Sequence, residues 1–212
     1  MIFPHNSNDN YIITSTWNTS NDFDKSSTKI YLLNNGKFLK YINNTHINEI
    51  FYLLSWYNKK NDKYYVIQLS SNKILIHNAI EEELYSEFIQ EPEDDHFSGF
   101  ISNKDNNDYL CSSSQNGYIN IWDLYNKKIF KIINVNKCCL FTLLSIIEWN
   151  NKYIITADFW NKSFKIIDFE SYKIISNIKG NNTDEVVCIK KIYHPVYGEA
   201  LLTAAMDKTI KL

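Results

Sequence analysis

Arginine is missing from this chain of 212 residues: its 22 basic side chains are all lysine. A guanidinium fork grips phosphate through two parallel hydrogen bonds, whereas an ammonium supplies only a point charge. Recognition of phosphorylated peptides through arginine forks is thereby disfavoured. Charge of one sign is lacking too, since the 24 acidic residues leave a formal net charge of −2. That is too little for bulk attraction to nucleic acid or to an anionic membrane, so no nucleic-acid partner is expected. Glycine and proline are scarce, at five and three. Asparagine, the non-glycine residue best able to hold a positive φ, is expected to do much of the turn work instead.

The four cysteines, Cys111, Cys138, Cys139 and Cys188, show no C-x-x-C spacing, and adjacent cysteines have poor geometry for a mutual bridge. They read as reduced thiols of an intracellular protein, cytoplasmic or nuclear. The longest apolar stretch, Cys138 to Ile147, is broken by Thr142 and Ser145. It falls far short of the roughly 18 residues a membrane span requires, and no membrane insertion is expected. The opening MIFPHNSNDN has no basic segment followed by an apolar one, so it does not read as a signal peptide.

What the chain does contain is a succession of short β segments. Examples are YIITSTW (11–17), TKIYLL (28–33), EIFYLLSW (49–56), YYVIQL (64–69), KILIHN (73–78), DYLCSSS (108–114), YINIWD (118–123), FTLLSIIEW (141–149), YIITAD (153–158), SFKIID (163–168), VVCIKKIY (186–193) and ALLTAA (200–205). They are rich in Ile, Tyr, Phe and Val, with Asn, Asp, Ser and Gly between them. Only EEELYSEF (81–88) competes as a helix, and its second half also fits a strand. Four segments end in a polar residue, at Asn34, Asn78, Asp123 and Asp168, in steps of 44, 45 and 45 residues. A four-stranded unit recurring every 40–45 residues has the spacing of propeller blades. No helical crossovers separate the strands, which excludes a parallel βαβ arrangement.

The stretch CSSSQNGYINIWD (111–123) resembles the second strand, tight turn and third strand of a WD40 repeat, ending in the pair Trp122–Asp123. HPVYGEALLTAAMDKTIKL (194–212) resembles the same region, with Asp207 in the turn. The resemblance implies an all-β, WD40-type β-propeller of about five blade units, approximately 1–42, 43–89, 90–133, 134–178 and 179–212, in a single region. The first and last units are incomplete, as in a fragment of a larger, usually seven-bladed ring. A closed five-bladed ring is the alternative, but both of its edges would need covering. In this family a His in the loop before the innermost strand bonds the turn Asp, a second-strand Ser or Thr, and the Trp. The resemblance gives that place to His96, which lies 26 residues before Trp122, and to His46 in the preceding unit. It gives Asp123, Asp168 and Asp207 repeat-signature roles. The departures are Asn116 and Asn161 near the turn Asp position, and Leu33, His77 and Ile167 at the Trp position. No unit therefore holds the whole network, and burial between blades must do more of the stabilising.

Nothing in the sequence forms a catalytic constellation. His5, His46, His77, His96 and His194 have no helical spacing and no Cys partner, so no metal site is expected. The acidic runs at 81–83 and 91–95 sit in loops and read as solvated charge. No phosphate-cradling Gly-rich loop or nucleophile elbow is present. The expected function is a non-catalytic scaffold for other proteins or peptides, with no cofactor and no small-molecule substrate. The alternative is the regulatory or substrate-recognition propeller of a multidomain enzyme or ubiquitin-ligase assembly. Trp17, Phe159 and Trp160 follow second strands, and they are the candidate partner-binding anchors because Trp is enriched at binding hot spots.

Overall fold

The computed structural model describes all residues except 1, 5–9, 16–27, 43–48, 72, 82, 90–93, 136–144, 159–161 and 180–182. The chain divides into two compact units, Met1–His96 and Phe97–Leu212. In the first, β1 (Ile2–Pro4), β2 (Asn10–Ser15), β3 (Thr28–Leu32) and β4 (Phe38–Ile42) form one sheet in chain order. A second sheet follows from β5 (Ile50–Asn58), β6 (Lys63–Ser70), β7 (Lys73–Asn78) and β8 (Leu84–Ile89). Ile13, Ile30 and Ile42 of one sheet pack with Val66 and Ala79 of the other. Gln68 Nε2 donates to Thr28 Oγ1 across that seam at 2.9 Å.

In the second unit β9 (His96–Lys104), β10 (Asn107–Ser114), β11 (Tyr118–Asp123) and β12 (Lys128–Asn134) form a sheet. So do β13 (Ser145–Trp149), β14 (Tyr153–Asp158), β15 (Ser163–Asp168) and β16 (Ile174–Lys179). The last sheet is three-stranded among the described residues: β17 (Val186–His194), β18 (Gly198–Ala205) and β19 (Ile210–Lys211). Every pairing described is antiparallel between consecutive strands. Cys111, Ile119, Ile121 and Ile133 pack against Ile146, Ile154, Ile167 and Phe169. Ile155, Ala157 and Phe164 pack in turn against Val186, Ile189 and Ala205.

The middle strands β6, β7 and β11 are buried on both faces, and such strands read as largely apolar runs. The outer strands β12 and β16 are mostly exposed. Between third and fourth strands the register slips at one recurring place: after Ile30, Ile76, Ile121 and Ile166. Each slip leaves one extra residue on the outer strand, namely Leu39, Tyr85, Phe130 and Ile175, which is a β-bulge conserved from sheet to sheet. The register aligns Tyr31, His77, Trp122 and Ile167, so Tyr31 rather than Leu33 holds the Trp position of the first sheet. Likewise Leu32 N–H donates to Lys37 O as Asn78 does to Glu83 O and Asp168 to Lys173 O. Leu32, not Asn34, is therefore the counterpart of those polar residues. The first sheet caps its turn differently, with Asn35 Oδ1 accepting from Lys37 N at 2.9 Å.

The segment 96–104, not among the β segments named from the sequence, forms all of β9. Its Ser98 and Ser102 are buried, 4% and 2% exposed, so its polar residues face a seam. The expectation for turns is corrected in part. Positive φ is held by Asn106, Asn150 and Asn151 as expected, and by Asp62 and Asp105, but equally by Lys127, Lys162, Lys208 and the bulky Tyr172. Lysine thus shares the turn work with asparagine.

Successive sheets of the second unit are joined by one repeated polar contact. Ile146 N–H donates to Ser98 Oγ at 3.4 Å, and Ile189 N–H donates to Ser145 Oγ at 3.2 Å. Both links are buried, where an orphaned N–H is costly. Ser145→Ala is expected to lower stability by about 1–3 kcal/mol in urea titration and to speed amide exchange at Ile189. An unchanged midpoint with unchanged protection at Ile189 would show that the link carries no stability.

Candidate functional site

The signature residues begin at Trp122, which is 1% exposed. Its Nε1–H donates to Ser112 Oγ at 2.9 Å from the third strand to the second. Ser112, Ser113 and Ser114 are themselves fully buried. Asp123 closes the adjoining corner. Its Oδ1 accepts from Tyr125 N and Asn126 N, and its Oδ2 from the side chains of Asn107 and Asn126, all within 3.0 Å. Burial pushes the Asp123 carboxyl up, but the hydrogen bonds from Asn126, Asn107 and Tyr125 outweigh it and hold it below its ordinary value. Asp168 repeats the corner through Ser171, whose side-chain and backbone bonds lower its pKa. Asn78 does the same without a charge, accepting from Ile80 N and Glu81 N. These are structural caps of third-to-fourth-strand turns.

His96 is the first residue of β9 rather than part of the loop before it, and it is fully buried. Burial lowers its pKa to about 4, so the imidazole is neutral near pH 7. Asp207 lies in the turn between β18 and β19. It accepts from Thr183 N and Thr183 Oγ1, both at 3.0 Å, from Thr209 N at 3.0 Å, and from Lys211 Nζ at 3.3 Å. The Thr209 hydroxyl and the Thr183 backbone hold its carboxyl well below the usual range. Thr183 thus makes the loop-to-turn bond that the family pattern assigns to a His. A lone Thr before a strand gives no sequence signal for that role. His46, Trp17, Phe159 and Trp160 lie outside the described residues.

Two surface features of the second unit are not legible in the sequence. The turn between β17 and β18 projects Tyr193, Val196 and Tyr197, which are 78%, 77% and 72% exposed. His194 Nδ1 accepts from Val196 N and Tyr197 N at 3.1 and 3.3 Å, and its ring stacks on Tyr197. This turn is an exposed, largely apolar knob capped by His194. The second feature is a cavity of about 250 Å3 lined by Ser102, Asn103, Lys104, Asn151, Lys152, Phe169 and Glu170. The Lys104 ammonium stands 5.9 Å from the ring centres of both Phe169 and Tyr172. Lys131 approaches the same Tyr172 ring at 5.8 Å.

Among the described residues no three His, Cys, Asp or Glu side chains converge as metal ligands. Burial pushes the Cys111 thiol well up, which suppresses the thiolate. No helix among the described residues is long and apolar enough to cross a membrane.

No protein-family model and no curated protein sequence matches the chain. Among solved structures, the crystal structure of the WD40 beta propeller domain of Doa1 is similar over 94% of this chain, with a TM-score of 0.69 and 13% identity. The chain spans 59% of that structure's length. At that identity the likeness is one of fold: an all-β chain whose five antiparallel sheets are WD40-type propeller blades.

Burial of His96 gives a pH dependence of definite sign. An unfolded His titrates near 6.5 and folded His96 near 4, so between those values the unfolded chain binds the extra proton. The stability present above pH 6.5 should fall by about 3 kcal/mol as pH drops to 4. Urea titrations of the chain and of His96→Gln across that range check it. Equal slopes in the two proteins would remove His96 as the cause.

Proposed function

We propose that the chain is a non-catalytic scaffold of the WD40 type, docking other proteins or peptides on turns held by its blades, inside the cell. The observation that carries this reading is the exposed group of Tyr193, Val196 and Tyr197, the last two on a turn whose backbone His194 caps. Exposing large apolar groups is unfavourable for a chain with no partner, and preordering them lowers the cost of docking. The fold likeness supports it, because blades of this kind supply rigid sheets with variable turns. We place the five blade units at approximately 1–42, 43–89, 90–133, 134–178 and 179–212, and give Trp17, Phe159 and Trp160 the role of additional anchors. His46, His96, Trp122, Asp123, Asp168 and Asp207 hold the blades and do not meet partners.

Affinity capture with the full-length protein tests the reading. One or more partners should be recovered reproducibly. Recovery should fall at least fivefold for Tyr193→Ser/Tyr197→Ser or for Trp17→Ala/Trp160→Ala, with the thermal melt preserved. A purified catalytic activity with no reproducible partner would overturn it.

A further inference from the structure

The geometry points to a second docking site: the cavity beside Lys104 receives a glutamate or aspartate side chain of a peptide. Size narrows the ligand first. Small-molecule pockets usually enclose roughly 300–1,000 Å3, and at about 250 Å3 this one suits a single side chain of a longer chain. Its lining includes Asn151, Lys104 and Lys152, while the Ser102 hydroxyl and the Asn103 amide already donate to Glu148 and Asp108, so the charge that an acidic group would meet comes from the two lysines.

Lys104 selects the sign. Its ammonium carries three donors, yet among the described residues it meets two aromatic faces and no carboxylate. A ring attracts a cation but cannot accept its hydrogen bonds as an anion does. Nearby carboxylates are engaged elsewhere or lie to one side. Glu148 accepts from Ser102 Oγ, and Asp168 is held by Ser171. Glu170 is itself part of the lining. Lys152 is engaged chiefly by Tyr153, over whose ring its ammonium stands at 5.0 Å, and Lys104 is the available one.

Tyr172 holds Lys104 in place. It occupies φ 57, a conformation that Gly36 holds at the matching turn of the first sheet. Strain of this kind in a bulky residue persists only where surroundings fix it. Here Phe130, the bulged residue of β12, and Phe169 meet the ring edge-on at 6.2 and 6.1 Å, leaving it to serve Lys104 and Lys131.

The inference rests on the scaffold reading only in taking the ligand to be a peptide, and direct binding separates the two. Acetyl-(Glu)3-amide is titrated into the full chain with NMR shift mapping, beside acetyl-(Gln)3-amide and inorganic phosphate. Saturable shifts are expected at residues 102–104, 151–152 and 170, with at least fivefold weaker binding of the Gln peptide. Lys104→Gln should weaken the Glu peptide at least fivefold, and Lys190→Gln, the same charge change outside the lining, less than twofold. Tyr172→Gly, which suits the backbone and removes the ring, should keep the fold and weaken binding. The site is overturned by an absence of saturable shifts, by equal binding of the Gln peptide, by unchanged affinity in Lys104→Gln, or by phosphate binding as tightly as the Glu peptide. Failure of partner capture with peptide binding intact would strike the scaffold reading alone.

Discussion

A sheet buried on both faces has no water to satisfy its polar atoms, so each must find a partner within the sheet or on the next one. In the second unit the innermost strands meet this constraint with a serine apiece: Ser98 accepts from Ile146 N–H and Ser145 from Ile189 N–H. The contact fixes more than a hydrogen bond. It sets the height at which one sheet sits on the next, and thereby which apolar rows interdigitate. Lys165 adds a third link, donating to Val135 O at 2.9 Å although the residue is only 8% exposed. A buried ammonium is tolerable only with such partners. The apolar clusters supply the free energy of packing, and these polar links specify its register.

Rigidity at the seams has consequences at the turns. The third strand of each four-stranded sheet ends at a bulge that swings one apolar residue of the outer strand out of register. Just beyond it, Asn78, Asp123 or Asp168 ties down the turn with its own side chain. A turn held at both ends presents its residues in one conformation, so a partner need not order it. The bulge, the cap and the strained Tyr172 are parts of one corner, and the Lys104 cavity lies beside it.

Much of this was legible in the sequence wherever one residue does one job. YINIWD, KILIHN and SFKIID match β11, β7 and β15 end to end, because strands buried on both faces leave an uninterrupted apolar signature. The Trp122–Asp123 pair announced its own corner. Legibility failed where a polar residue is buried or a register slips. Buried Ser98 and Ser102 deprive β9 of an apolar strand pattern, although their hydroxyls serve a neighbouring sheet. In the first sheet the cap is Asn35, so the polar repeat pointed two residues past its true counterpart, Leu32. Thr183 was invisible because its partner, Asp207, is 24 residues away. The cavity was invisible because residues from three separate turns or strand ends build it.

The absence of arginine bears on all of these surfaces. A guanidinium can stack on a ring and still engage a carboxylate in its plane, so one residue both anchors and reads. Lysine separates the two tasks. Its ammonium must be placed by something else, and here the placement falls to aromatic rings: Trp149 under Lys191, Tyr153 under Lys152, and Tyr172 with Phe169 under Lys104. Lys191 is also consumed by Glu199 at 2.6 Å, and Lys152 is engaged chiefly by Tyr153. The ring-supported lysines therefore differ in what remains to be satisfied, and that difference, rather than net charge, decides where an acidic group would gain most by docking.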